Sequence, residues 1–439
     1  MPSRWTAASR LIAYLALILT PVVVVTVNSL EPGDTFAYNL GRCCALLAFT
    51  IIVLQVALAA RLKWIEKPFG LNLTFPFHRR MGVFAGILLL LHPPLMILGG
   101  GGLELAIDGK WYIWVGKGAL TLILVNVAIS VWRQRLGLPF EKWRCWHDFL
   151  GPSVILLAFI HSWNASVDNS LLFMKILWVA FLAFALFLFV YHRFYVPWLS
   201  GQSPYQVLEV KPAAKNVWTV SFIPPAGQTR FDFVPGQFQF VTFLDTPGLP
   251  EEEHHFTISS SPTQTGFHTS TIKASGDFTS RIGQVNPGDK VAVEAPFGRF
   301  SYVFHPEAKD LVFIAGGIGI TPLMSNLRHM RDTGADRRVL LLYSNRIEAD
   351  IVFKEELEQM AAQAKPQVQV VHILTQPDGN WQGETGRLDR EKLQRLCGER
   401  LRSSTFFLCC PPPMIQSLVA ILQELGVPVS RISYEYFSL

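Results

Sequence analysis

The sequence predicts a six-helix transmembrane bundle followed by a small antiparallel β-barrel and an α/β domain with an open parallel sheet. Three observations carry that expectation. Residues 1–199 are mostly long apolar runs, while 200–439 have the mixed polarity of a globular chain. Short segments of alternating polarity follow the last apolar run, as half-buried strands require. From Leu311 onward, strand-like runs alternate with helix-like ones, the pattern of a sheet covered on both faces.

Six stretches meet the roughly 20 residues that a bilayer requires. They are 11–30, 41–60, 78–99, 112–132, 148–166 and 171–191. The first is too long for a signal peptide and has no cleavage pattern, and its Pro21 is a tolerable kink. Only 16% of the 439 residues are charged, against about 25% in soluble domains. The net charge of +5 belongs to loops at a membrane surface rather than to a nucleic-acid patch. Arg61, Lys63, Lys67, Arg79, Arg80, Arg133, Arg135, Lys142 and Arg144 fall on one side of these stretches. The alternate loops 31–38, 99–111 and 163–170 carry only Lys110, with Lys117 just inside the fourth stretch. That asymmetry puts both termini and the globular half in the cytoplasm. Glu104 and Asp108, in the glycine-rich outer loop, read as part of a solvated turn or as a lure for cations. Cys43, Cys44, Cys145, Cys397, Cys409 and Cys410 form no CxxC pair, so neither a disulfide framework nor an iron–sulfur cluster is expected.

The third stretch contains FHRRMGVFAGILLLLHPPLMIL, from Phe77 to Leu98. His78 and His92 are fourteen positions apart, about 21 Å of helix and close to four turns. His147 and His161 repeat the spacing, and each first histidine has a glycine four residues on, Gly82 and Gly151. Helices three and five run the same way, which levels His78 with His147 near the cytoplasm and His92 with His161 near the outer face. Two tiers of facing imidazoles, with glycine leaving room for a flat group, frame two stacked bis-histidine b-type haems. The plainer reading is four interfacial histidines or a proton relay, although ionisable groups inside a membrane are functional by default. Arg79, Arg80 and Arg144 suit inner propionates and positive-inside anchoring equally. Arg42, at the outer end of the second stretch, reads as a contact to an outer propionate or acceptor site, and His192 as interfacial.

The segment 196–204, VPWLSGQSP, reads as a linker. Strands are expected over 205–210, 217–222 and 235–243, then EEEHHFTISSSP and IKASGDFTSRI follow. In the latter, Gly276 and Thr279 form either a plain turn or a helix start whose N–H groups and hydroxyl face a pyrophosphate. LVFIAGGIGITPLMSNL reads as a buried strand, a glycine turn and a helix starting near Thr321–Pro322. GGIG in that place marks a dinucleotide phosphate site. Further strands and helices (about 350–361, 389–396 and 413–425) complete a nucleotide-binding α/β domain.

From about 204 on, the chain resembles the ferredoxin–NADP reductase superfamily. The matching residues are Pro235-Gly236-Gln237-Phe238, His254-His255-Phe256-Thr257, Gly276-Asp277-Phe278-Thr279 and Ala295-Pro296-Phe297-Gly298. Beyond them come Gly316-Gly317-Ile318-Gly319-Ile320-Thr321-Pro322, Tyr343-Ser344-Asn345-Arg346 and the stretch from Cys409 to Met414. With the four-histidine half, the chain resembles a bacterial member of the ferric reductase/NADPH oxidase superfamily.

The resemblance implies domains at 1–199, 204–305 and 306–439, in a bacterial inner membrane. It implies FAD held by His254, Phe256 and Thr257, with Lys273, Gly276, Phe278 and Thr279 on the pyrophosphate side. NADPH or NADH would lie on Gly316, Gly317, Gly319, Thr321 and Pro322, its adenosine end near Ser344, Asn345 and Arg346. Thr257, Cys409 and Phe437 would meet the reacting rings, Phe437 stacking on the flavin. The implied activity is NAD(P)H oxidation, with electrons passed through FAD and two haems to dioxygen or a ferric chelate outside, or to a periplasmic redox partner. Two departures stand out. Cys409-Cys410-Pro411 lacks the usual turn glycine, and Met96 stands where animal oxidases carry a further histidine. A haem-free transport or sensing protein is the rival from another class.

Overall fold

The computed structural model describes residues 4–28, 34–101, 109–165 and 171–436. The chain divides into two compact units, Met1–Pro197 and Trp198–Leu439.

In the first unit the long helices are α1 (Arg4–Asn28), α2 (Phe36–Ala59), α4 (Leu71–Met96), α5 (Trp111–Trp132), α6 (Phe140–Ala165) and α7 (Leu172–Val190), with a short α3 (Lys63–Phe69) between. Helix α2 is the packing centre. Its Ala48, Phe49, Ile51 and Val53 are buried against Ala85 of α4, Ile123 of α5, Val154 of α6 and Trp178 of α7. Among the described residues, five helices are long and apolar enough to cross a membrane. The fifth expected span, 148–166, falls on α6, whose first turns carry Glu141, Lys142, Arg144, His147 and Asp148.

Several expected boundaries move. Helix α4 begins at Leu71 rather than 78, and α6 at Phe140 rather than 148. An apolar run reports the part of a helix that lipid or protein covers, and the backbone continues helical into polar turns beyond it. The expected linker 196–204 is mostly helical as well. A π-turn at Tyr191–Tyr195 leads from α7 into α8 (Val196–Gln202). Pro197 falls in the first turn of α8, where a missing N–H is tolerated. Glu104, Asp108 and Phe437 lie outside the described residues.

The second unit opens with six strands: β1 (Tyr205–Ala214), β2 (Val217–Ile223), β3 (Phe238–Leu244), β4 (His254–Thr257), β5 (His268–Lys273) and β6 (Lys290–Phe297). They form one antiparallel sheet in the order β4-β3-β6-β1-β2-β5. Past β4, the N–H of Ser259 donates to the carbonyl of Thr269 at 2.8 Å, tying the two edges together. Phe222, Phe243, Ile272 and Phe278 fill its interior.

A parallel sheet follows, built from β7 (Asp310–Gly316), β8 (Arg338–Asn345), β9 (Gln367–Leu374), β10 (Glu384–Thr385), β11 (Thr405–Cys409) and β12 (Ile432–Glu435). Its order is β10-β9-β8-β7-β11-β12, and every pair is parallel. The helices α9 (Ile320–Asp332), α10 (Lys354–Ala361), α11 (Arg390–Cys397), α12 (Arg400–Ser403) and α13 (Pro412–Glu424) connect the strands. Two apolar clusters lie on the sheet: Leu311, Phe313, Leu341 and Leu323 in one, and Val312, Ile314, Leu340 and Leu418 in the other. Alternate residues of one strand thus face opposite layers, as strand geometry requires. All six cysteines are free thiols.

Candidate functional site

Helices α4 and α6 bring the four membrane histidines together in two pairs. The ring centres of His78 and His147 are 6.0 Å apart, and those of His92 and His161 are 6.4 Å apart. A metal lies about 2.0–2.1 Å from a ligating imidazole nitrogen and the ring centre roughly 1.1 Å further, so two imidazoles across one metal have centres roughly 6.2 Å apart. Both pairs match that span.

The ring nitrogens are disposed to suit. Nδ1 of His78 meets the Gln55 carbonyl at 3.3 Å, and Nδ1 of His92 the Gly41 carbonyl at 3.0 Å. Nδ1 of His161 meets the Tyr112 carbonyl at 2.8 Å, and Nδ1 of His147 the Asn126 side-chain oxygen at 2.9 Å. An acceptor at each Nδ1 fixes the proton there and leaves the Nε2 lone pair for a ligand. Each histidine helix leans on one neighbour, α4 on α2 and α6 on α5. The four acceptors repeat the period of the ligands, since 41 and 55, and 112 and 126, are also fourteen apart. A side chain on Gly82 or Gly151 would meet nothing within 4 Å, so both glycines border open space. A Cβ on Gly116 would lie 2.5 Å from Nδ1 of His161, so that ring seats only against a glycine. The Gln55 amide is buried, and neither its nitrogen nor its oxygen finds a protein partner. Donor set, spacing and open flanks fit an iron porphyrin in each tier.

Asn126, Gln55 and Gly116 were not singled out by the sequence reading. Arg42 is engaged by Asp34 at 3.2 Å and Asn39 at 3.3 Å, and Arg144 and Arg193 both approach Asp148. His192 lies in the π-turn.

In the second unit β4 presents His254 and Phe256. His254 stacks on Phe278 with ring centres 3.7 Å apart, and Phe256 stacks further out at 6.5 Å. Phe278 is buried and Lys273 half-buried, while Thr257 is buried at the strand's end. The turn after β5 is closed by its own threonine. Thr279 Oγ1 accepts the N–H groups of Ser275 (2.8 Å) and Gly276 (3.0 Å), so these groups satisfy one another. The following helix, Thr279–Gln284, is a short 3₁₀ segment. A phosphate bound at these N–H groups would have to displace the Thr279 hydroxyl.

At the end of β7 the chain passes Gly316, makes a 3₁₀ turn over Gly317–Gly319 and enters α9. A Cβ on Gly319 would sit 1.9 Å from the Cys409 carbonyl oxygen, a collision that excludes any other residue. Thr321 and Pro322 are buried, and the Thr321 hydroxyl donates to the Ile318 carbonyl. At the end of β8, Ser344 and Asn345 are buried and Arg346 is exposed. Cys409 closes β11 fully buried, and burial pushes its thiol well above the usual range. Its register partner on β12 is Glu435, whose carboxyl burial pushes up to about 8. The sequence reading did not single out Glu435.

Known proteins resemble both halves. Residues 44–159 match the family model described as ferric reductase like transmembrane component, and residues 313–420 the one described as oxidoreductase NAD-binding domain. The stachydrine N-demethylase reductase subunit Stc4 of Rhizobium meliloti is 30% identical over 54% of this chain and 67% of its own length. NADH-cytochrome b5 reductase 2 of Scheffersomyces stipitis is 32% identical over 33% of this chain and 48% of its own. The chain thus spans about half to two thirds of these relatives. Among solved structures, the FAD/NAD-binding domain of a nitric oxide dioxygenase from Vibrio cholerae aligns with TM-score 0.46 and 23% identity, covering 53% of this chain and 98% of that one.

Proposed function

The chain belongs to the ferric reductase/NADPH oxidase-type superfamily, a ferric-reductase-like transmembrane component joined to a ferredoxin–NADP reductase-like NAD-binding domain, and from that premise we propose that it is a bacterial inner-membrane flavocytochrome b. It oxidises NAD(P)H on the cytoplasmic side and reduces dioxygen or a ferric chelate outside. The observation that carries this reading is the pair of histidine tiers, with ring centres 6.0 Å and 6.4 Å apart and every Nδ1 held by an acceptor.

When bound, FAD takes the nicotinamide's electron pair as hydride and the haem irons carry electrons singly, which is why one chain needs both kinds of group. His78 and His147 would hold the inner haem, and His92 and His161 the outer one. With two histidines given to each haem, an acceptor would be reduced without binding the iron. Gly82 and Gly151 leave the porphyrin its width. Six helices span the bilayer, α6 among them, and the basic flanks keep both termini inside.

The globular half is two domains, an FAD-binding barrel (204–305) and an NAD(P)-binding domain (306–439). His254, Phe256 and Thr257 line the flavin, Phe278 backs His254, and Lys273 reaches its phosphates. Gly276 and Thr279 join them by opening their turn. Gly316, Gly317 and Gly319 let the nucleotide phosphates approach the backbone, with Thr321 and Pro322 holding the turn from beneath. Ser344, Asn345 and Arg346 take the adenosine end. Cys409 and Glu435 border the point where the two rings would meet, and Phe437 is the aromatic assigned to cover the flavin.

The test is composition. A pyridine haemochromogen assay and flavin release on purified full-length protein should return two b-type haems and one FAD per chain. One haem or none in well-folded protein would falsify the reading. Comparison of superoxide formation with ferric-chelate reduction then names the acceptor.

A further inference from the structure

The four imidazoles are not held alike. Three rest on backbone carbonyls, which no side-chain substitution removes. His147 rests on side chains: its Nδ1 meets the Asn126 amide oxygen at 2.9 Å and, more distantly, the Ser130 hydroxyl at 3.5 Å, with Asn126 itself only 6% exposed. Around it stands a small polar assembly from α5 and α6. The Ser130 hydroxyl donates to the Asn126 backbone carbonyl at 2.6 Å and accepts the Trp143 indole N–H at 3.1 Å. The Trp143 ring stacks on His147, with centres 5.2 Å apart and planes 29° apart.

We propose that Asn126 is a positioning residue that sets the tautomer, ring angle and donor strength of His147, and through them the reduction potential of one of the two haems. The proposal rests on the bis-histidine reading above. With Nε2 on iron, Nδ1 carries the proton, so the Asn126 amide must present its oxygen. The flipped amide would demand a proton on Nε2 and exclude the metal. A stronger acceptor at Nδ1–H makes the ring a better donor, favours ferric iron and lowers the potential, and losing the acceptor does the reverse. The outer tier has no such side chain: both its acceptors, at Gly41 and Tyr112, are backbone carbonyls.

The experiment is a spectroelectrochemical titration of full-length protein carrying both haems, in the wild type, Asn126→Leu and Asn126→Asp. Asn126→Leu should raise the potential of one haem by a change of about tenfold in its ferric–ferrous equilibrium, about 59 mV for one electron. Asn126→Asp should lower the same haem's potential at alkaline pH, and the other haem should keep its wild-type value in both variants. The ferric low-spin electron paramagnetic resonance signal of that haem should shift too, because it reports the angle between ligand planes, 68° for His78 and His147. If Asn126→Leu fails to hold haem, Asn126→Asp alone carries the comparison. Unchanged potentials and signals in haem-loaded variants would overturn the role of Asn126. A wild type holding fewer than two haems would instead overturn the bis-histidine reading.

Discussion

Cys409 and Glu435 sit side by side at the carboxyl ends of β11 and β12, two neighbouring strands of the parallel sheet. Burial raises the Glu435 carboxyl from 4.5 to about 8, so at neutral pH the folded protein keeps it protonated. The unfolded chain ionises it near 4.5, so above that the folded state binds the extra proton and stability falls as pH rises. The loss accrues between about 4.5 and about 8 and then levels off. Glu435→Gln should therefore melt increasingly above the wild type as pH climbs through this window, with little gap at pH 4.5. Flavin release followed by fluorescence during heating measures it, and a gap that is constant across the window would count against a buried neutral acid.

The glycine turn after β7 makes a second prediction. Gly319→Ala puts a methyl group against the Cys409 carbonyl, where a Cβ lies 1.9 Å from the oxygen. Relief requires β11 or the turn to shift, which costs about 1–3 kcal/mol. It also displaces the N–H groups proposed to meet the nucleotide. Slower flavin reduction by NAD(P)H and a lower melting temperature are expected together. Gly379→Ala is the control, because a Cβ there meets nothing within 4 Å and the residue lies outside the proposed flavin and nucleotide sites. Equal melting temperatures for the two variants would show that the clash is relieved at no cost.

How much of this was legible follows from what each feature depends on. The histidine tiers were legible because a helix keeps period, and two ligands fourteen apart must share a face. The parallel sheet was legible because its buried strands are short apolar runs between glycine and proline breaks. Asn126 was not, since nothing local to residue 126 says that His147 will pack against it. The Cys409–Glu435 pair depends on the register between β11 and β12, which only the folded sheet supplies. Thr279 was legible as a turn residue, but whether its hydroxyl faces in or out is settled by two N–H groups three and four positions earlier. The early starts of α4 and α6 escaped because hydropathy marks burial, and polar turns are as helical as apolar ones.

Coenzyme choice should turn on Arg346, which is exposed just past β8. A guanidinium there can pair bidentately with a 2′-phosphate, and such a charged contact contributes about 1.5–3 kcal/mol. Arg346→Ala should lower kcat/KM for NADPH roughly tenfold to hundredfold and leave NADH nearly unchanged. An equal NADPH-to-NADH ratio in wild type and variant would remove Arg346 from the coenzyme site.

The order of electron flow is the last prediction, and it tests the topology with the ligand pairing. On the proposed orientation, with the basic flanks inside, His78 and His147 form the tier nearer the cytoplasm, and His92 and His161 the outer tier. Replacing His78 or His147 by a non-ligand should leave NAD(P)H able to reduce the flavin but prevent reduction of the remaining haem. Replacing His92 or His161 should leave the inner haem reducible while stopping delivery to an impermeant acceptor outside. Anaerobic stopped-flow at the haem and flavin bands distinguishes the four variants, with haem content measured in each. Losing a ligand also loosens α4 or α6, so only variants retaining one haem enter the comparison. Should His92 variants block inner-haem reduction while His78 variants spare the outer haem, the orientation is the reverse of the one drawn from the charges. Ligand pairing alone predicts no direction, so the asymmetry between tiers is what ties the histidine geometry to electron transfer across a membrane.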